Sequence, residues 1–302
     1  MEEMTTGLCP KCGHTLQIPA ELERFSCMYC GERLTKRQLL TQPEEASCSE
    51  EDCAVSFDHA VSRLGWCVQN FRGYQKKILR DAFFEAFETY ETGCAPVIQK
   101  LNSGVRPERQ TELLDRAAEA MLGELSAGWE KKNDMEDEKV ILAIFFVPMV
   151  RKLQLPVSEE FVTLLQKKWV ERYPKSPFYL GDYESISGGF RKKFLGLCFI
   201  TTAVCQELGK PDDCAELTAF RAFRDGYLAA QPDGEALIRE YYNIAPGIVT
   251  CINTCSDRHA SYERIREQYL TPCYEDLLAG RNADCKTRYV QMVRDLEREY
   301  LH

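Results

Sequence analysis

Hydrophobic positions return every three or four residues over most of this chain. Val61, Leu64, Val68, Phe71, Ile78, Ala82 and Ala86, with Cys67 and Tyr74 alongside, predict one long helix over about 55–91. Leu114, Ala117, Ala118, Met121, Leu125 and Trp129 predict a second. A third starts near Glu136 and is kinked or ended at Pro148, since proline lacks the N–H that a helix interior needs. Ser158, followed by Glu159 and Glu160, reads as an N-cap with acids in the first turn, and Phe161, Leu164, Leu165 and Trp169 continue that helix. Tyr179 to Gly189 reads as loop, punctuated by Gly181, Gly188 and Gly189. Asp212 or Asp213 then caps a helix carrying Leu217, Phe220, Phe223 and Tyr227. Asp233 caps another, with Leu237, Ile238, Tyr241, Ile244, Ile248 and Ile252, kinked at Pro246. Further helices fit about 257–279 and 283–300. No strand-like alternation occurs beyond the N-terminal segment, so the body is expected to be all-helical.

Composition narrows the class. Of 302 residues, 44% are hydrophobic and 28% charged, which supplies a real core and excludes a mainly disordered chain. The longest apolar run, Val140–Val150, is too short to span a bilayer. The opening Met1–Gly7 lacks a basic-then-apolar pattern, so no signal peptide is expected. We therefore expect a cytoplasmic protein with no membrane span. Its 15 cysteines are then reduced thiols or metal ligands rather than disulfides. The net charge of −9 falls mostly on residues 1–58, which carry −6, leaving a nearly neutral body. That is not the basic footprint of a dedicated nucleic-acid binder. Arg72, Lys76 and Arg80, and Lys167, Lys168, Arg172 and Lys175, form two basic stripes, which balanced acids make solvated faces.

Two Cys-x-x-Cys-Gly units, Cys9-Pro10-Lys11-Cys12-Gly13 and Cys27-Met28-Tyr29-Cys30-Gly31, carry the clearest chemistry. Zinc takes four soft ligands in a tetrahedron, and each tight turn supplies two thiolates. The following glycine permits the positive φ that such a knuckle uses. A redox pair or an iron–sulfur cluster is the alternative, but the βαβ context of a redox motif is absent. The segment over about 7–35 resembles the zinc-ribbon family. That resemblance implies a small β-hairpin head with structural Zn2+ on Cys9, Cys12, Cys27 and Cys30. Leu16, Ile18, Leu22 and Phe25 are expected to cover the site, with His14 as a bystander. Cys48, Cys53 and His59 fit no zinc spacing. The expected fold class is thus mainly α, with a zinc-ribbon head at 1–36, an acidic linker at 37–58 and helical domains at 59–188 and 189–302.

A second unusual block begins at Cys198-Phe199-Ile200-Thr201-Thr202-Ala203-Val204-Cys205. It continues through Gly209-Lys210-Pro211-Asp212-Asp213-Cys214 to Phe220-Arg221-Ala222-Phe223-Arg224-Asp225. With Glu240-Tyr241-Tyr242 downstream, it resembles the bacterial CFI-box C-terminal domain family, over about 195–252. The resemblance implies no reaction. Arg221, Arg224 and Asp225 share a helix and fit an internal salt-bridge network, or an anion site. Cys198, Cys205 and Cys214 fit buried small hydrophobes, or a second metal site with Asp212 or Asp213. A nucleophilic Cys198 would need a partner such as His259. Cys251 and Cys255, one turn apart, read as core thiols.

Phosphate-loop, dinucleotide-binding, zinc-protease and serine-hydrolase motifs are absent, and four histidines leave little for acid–base work. The chain is therefore expected to be an interaction or adaptor protein that binds zinc and docks a protein partner. A nucleic-acid-associated protein using the ribbon is the second reading, and a thiol enzyme centred on Cys198 the third.

Overall fold

The computed structural model describes residues 4–9, 15–19, 21–29, 31–36, 50–131, 133–191, 198–255 and 257–301. The fold is mainly α with a small β head, and it divides into two compact units, Met1–Ala54 and Val55–His302.

The head contains two antiparallel hairpins. β1 (Met4–Leu8) pairs with β2 (Thr15–Pro19), and β3 (Arg24–Ser26) with β4 (Arg33–Thr35). Phe25 faces Leu34 across the second hairpin. Among the described residues, the head's core cluster is small: Cys9, Leu16, Cys27 and Leu34, with Phe25 against it, and Ile18 is buried as well. Leu22, expected in that cover, is exposed, and Leu34 takes its place.

The body runs through α1 (Glu50–Leu64), α2 (Trp66–Gln69), α3 (Phe83–Gly104), α4 (Gln110–Ala127), α5 (Asp134–Ile141), α6 (Val147–Lys152), α7 (Ser158–Arg172) and α8 (Tyr183–Arg191). It continues through α9 (Phe199–Glu207), α10 (Ala215–Ala222), α11 (Gly234–Thr254), α12 (Arg258–Ile265), α13 (Thr271–Leu278) and α14 (Asn282–Tyr300). α4 packs along α7, and α11 meets α8, α9 and α14.

One hydrophobic core extends from Phe57 to Leu301, so the two helical domains expected at 59–188 and 189–302 share it. Phe83 and Phe190 stack across that boundary at 4.3 Å between ring centroids. The acidic stretch expected as a linker at 37–58 is described only in part. Residues 37–49 lie outside the described residues, and Glu50–Asp58 belong to α1. Glu50, Glu51 and Asp52 occupy its first turn, where the positive end of the helix dipole favours carboxylates.

The helix expected over 55–91 is broken. It stops at Leu64, passes through α2 and a 3₁₀ turn at Tyr74–Lys77, and resumes as α3. Gly73 adopts φ +93°, which turns the chain there and lets Phe71 and Tyr74 pack together at 4.9 Å. The loop expected at Tyr179–Gly189 contains most of α8. Its cap is Asp182, which accepts from the Ser185 N–H and Ser185 hydroxyl at 2.8 Å each. Two glycines hid this helix in the sequence, and Gly189 lies opposite Thr250 of α11.

Candidate functional site

In the head, Cys9 and Cys27 are only 1% and 2% exposed. The second knuckle closes locally: the Gly31 N–H donates to the Cys27 carbonyl at 2.8 Å, with Gly31 at φ +73°. Cys12, Cys30, His14 and Cys48 lie outside the described residues. Among the described residues, no three His, Cys, Asp or Glu side chains gather as a metal cluster. Of the four expected ligands, Cys9 and Cys27 are the two that the structure describes.

In the body, Cys198 is the N-cap residue of α9. The first turn of a helix leaves N–H groups without intrahelical partners. Here the Ile200 N–H donates to the Tyr241 hydroxyl at 3.0 Å. Tyr289 donates to the same oxygen at 3.3 Å, and its hydroxyl lies 3.2 Å from Thr201 Oγ1. Tyr241 of α11, braced by Tyr289 of α14, thus does the work usually left to a Ser or Asp cap. The buried Thr202 hydroxyl has no partner among the described residues.

Arg224 donates from Nε and Nη2 to the Asp225 carboxylate at 2.6 and 2.7 Å, and its Nη1 lies 3.6 Å from the Cys198 sulfur. Arg221 does not pair with Asp225 four residues on. It reaches back to Asp212, donating to the carbonyl and to Oδ1 at 2.8 Å each. Asp213 is exposed and does not join this group. The structure thus brings together Cys198, Thr201, Arg224 and Asp225 in one place, and Asp212 with Arg221 in another. Cys205 and Cys214 meet at 3.7 Å between sulfurs.

Burial pushes the Cys198 thiol up to about 11, although Arg224 and Arg221 pull the other way. At neutral pH it is protonated, which is the wrong state for a nucleophile. His259 does not supply the missing base. Its Nδ1 lies 3.3 Å from Glu207 Oε1 at the far end of α9. Cys198, Phe220, Arg224 and Tyr241 line a small, mostly apolar cavity of about 60 Å3, with the Glu240–Arg294 pair at its wall. It has room for one or two small groups.

A larger, polar cavity of about 740 Å3 was not legible in the sequence. Its wall holds the buried Lys139, which donates to Ser176 Oγ at 2.8 Å and pairs with Glu136. The only sequence signal was a lysine beside the longest apolar run. Cys251 is buried, as expected of a core thiol, and the partly buried Cys255 thiol donates to its carbonyl at 3.3 Å; both line this cavity.

Three members of the basic stripes, Arg72, Lys168 and Arg172, are held in ion pairs. Lys168 meets Asp115 at 2.8 Å and Arg172 meets Glu119, both across the α4–α7 contact. Arg72 donates to Glu138 at 2.8 Å. Among the described residues, no helix is long and apolar enough to cross a membrane. No family model, no curated protein and no solved structure matches the chain.

Proposed function

We propose that this chain is a zinc-binding interaction protein whose head docks a protein partner. The observation that carries this reading is the second knuckle, where Met28 and Tyr29 are 80% and 57% exposed between Cys27 and Cys30. Large apolar side chains held on a rigid turn are the kind of anchor that protein interfaces use, and Tyr and Met are enriched there. Leu22 adds a third exposed apolar group to the head. A zinc ion on Cys9, Cys12, Cys27 and Cys30 would fix the knuckle that presents them. So small a core cluster is too little to hold such a unit unaided. The protonated Cys198 and the internally paired arginines favour binding over catalysis in the body.

The test is cross-linking of the full chain in lysate from its native host, followed by purified reconstitution with whatever protein is captured. The Met28→Ala/Tyr29→Ala double variant should weaken that reconstituted complex by at least tenfold while retaining its zinc. Full binding by the double variant would refute the assignment. Capture of RNA or DNA instead, lost steeply as salt rises, would replace it with the nucleic-acid reading.

A further inference from the structure

We propose that Cys205 and Cys214 are an oxidation site, a thiol pair that a hydroperoxide converts to an intramolecular disulfide. Their sulfurs are 3.7 Å apart, and both thiols are free. A disulfide needs about 2.05 Å, so a shift of roughly 1.7 Å, within reach of a rotamer change, closes the bond.

The local fold holds the two sulfurs at this distance. α9 ends in a reversal in which the Gly209 N–H donates to the Gln206 carbonyl at 3.0 Å and the Lys210 N–H to the Cys205 carbonyl at 2.8 Å. Gly209 has φ +67°, the left-handed residue that such a helix end requires. The returning strand of chain is then pinned at two points. Arg221 holds Asp212, and Lys210 pairs with Glu216. Cys214 follows as the N-cap residue of α10, which brings its side chain back onto the last turn of α9. A cavity of about 230 Å3, lined by Thr201, Cys205, Lys210, Glu216 and Arg266, opens beside Cys205.

The two cysteines differ in a way that assigns their roles. Cys214 is partly exposed and Cys205 is buried. Burial, and then the contact with Cys214, push the Cys205 thiol up to about 12, so it stays protonated until a neighbouring sulfur is activated. In the first step the Cys214 sulfur attacks one peroxide oxygen. The S–O bond forms, the O–O bond breaks, and the second oxygen leaves as water after taking the thiol proton. In the second step the Cys205 sulfur attacks the Cys214 sulfenic acid. The S–S bond forms, the S–O bond breaks, and hydroxide leaves with the Cys205 proton as water. Two thiols and one hydrogen peroxide thus give one disulfide and two waters.

Other thiols provide internal controls. Cys67 and Cys94, and Cys273 and Cys285, also neighbour one another, but all four are fully buried. The full chain is exposed to hydrogen peroxide, the remaining thiols are alkylated after denaturation, and the digest is mapped without reduction. Cleavage after Glu207 separates Cys205 from Cys214, so their link is read directly. The expected result is joint loss of alkylation at Cys205 and Cys214, with the four buried cysteines still alkylated. In Cys205→Ser, dimedone labelling of Cys214 should rise several-fold over wild type, because the sulfenic acid is no longer consumed. Alkylatable Cys205 and Cys214 after peroxide treatment would overturn the proposal. So would Cys214 oxidation in the wild type with no Cys205–Cys214 link.

Discussion

At the scale of single residues, the informative groups are buried polar atoms. Thr202 Oγ1 has none of the partners that its neighbour Thr201 finds in Tyr289. A buried hydroxyl without a bond costs desolvation and returns nothing. Thr202→Val should therefore leave the thermal midpoint unchanged or raise it. A clear fall would show that the hydroxyl binds something in solution. Asp276 is the opposite case. Its side chain is 5% exposed, yet it accepts from Arg281 Nε and Nη2 at 2.9 and 2.7 Å and from Arg288 Nε at 2.9 Å. The Arg281 and Arg288 bonds outweigh desolvation and hold its carboxyl below the usual 3.8. A carboxylate whose folded value is depressed stabilises the fold above its unfolded value, and that contribution is lost as pH falls through the folded one. Asp276→Asn should lower the thermal midpoint at pH 7, and the gap to wild type should close below about pH 4. A gap that persists at low pH would show that packing, not charge, is what Asp276 supplies.

At the scale of elements, the structure turns on how helices approach one another. Gly247, inside α11, lies against the Ile78 carbonyl so closely that a Cβ would stand 1.9 Å from that oxygen. The contact is held by Asn243, whose carbonyl and side chain accept from the Arg80 and Asp81 N–H groups at 3.0 and 3.1 Å. Gly247→Ala should destabilise by about 1–3 kcal/mol, as overpacking does. Gly123, in α4, has nothing near its would-be Cβ, so Gly123→Ala should stabilise by about 0.5–1 kcal/mol. Equal effects in a denaturant titration would reject this reading of the close approach.

The same elements show what was legible in the sequence. The spans of α4, α7, α11 and α14 follow from periodicity, because each buries one stripe. The ends do not, because they depend on tertiary partners. Pro148 was expected to kink or end its helix; α5 gives way to a π turn at Leu142–Phe146, and Pro148 sits in the first turn of α6. Pro272 likewise follows a π turn, at Arg266–Leu270. A widened turn moves backbone carbonyls relative to the proline ring, a local answer that hydrophobic spacing does not encode. The Cys198 block was legible as unusual, and Arg221 and Arg224 as ion-pair formers. Their partners were not, since Asp212 lies across a loop and Tyr241 and Tyr289 come from distant helices.

At the scale of the molecule, the division at Ala54–Val55 separates two kinds of stability. The body has a core of dozens of buried side chains and stands on hydrophobic burial. Among the described residues, the head's core cluster is Cys9, Leu16, Cys27 and Leu34, two of them cysteines. If zinc holds the head, its removal withdraws about 10–16 kcal/mol of metal binding from that unit and nothing from the other. The three tryptophans, Trp66, Trp129 and Trp169, all lie in the body, so their fluorescence reports it alone. Chelation of the purified chain should leave the tryptophan-detected melting transition in place. It should also open the head to trypsin at Arg24, Arg33 and Lys36, and re-added zinc should restore protection. A head that resists trypsin without metal would mean that its small core suffices and that the cysteines pack rather than ligate. A tryptophan transition that collapses on chelation would mean that the body depends on the head, contrary to a core that closes on itself from Phe57 to Leu301.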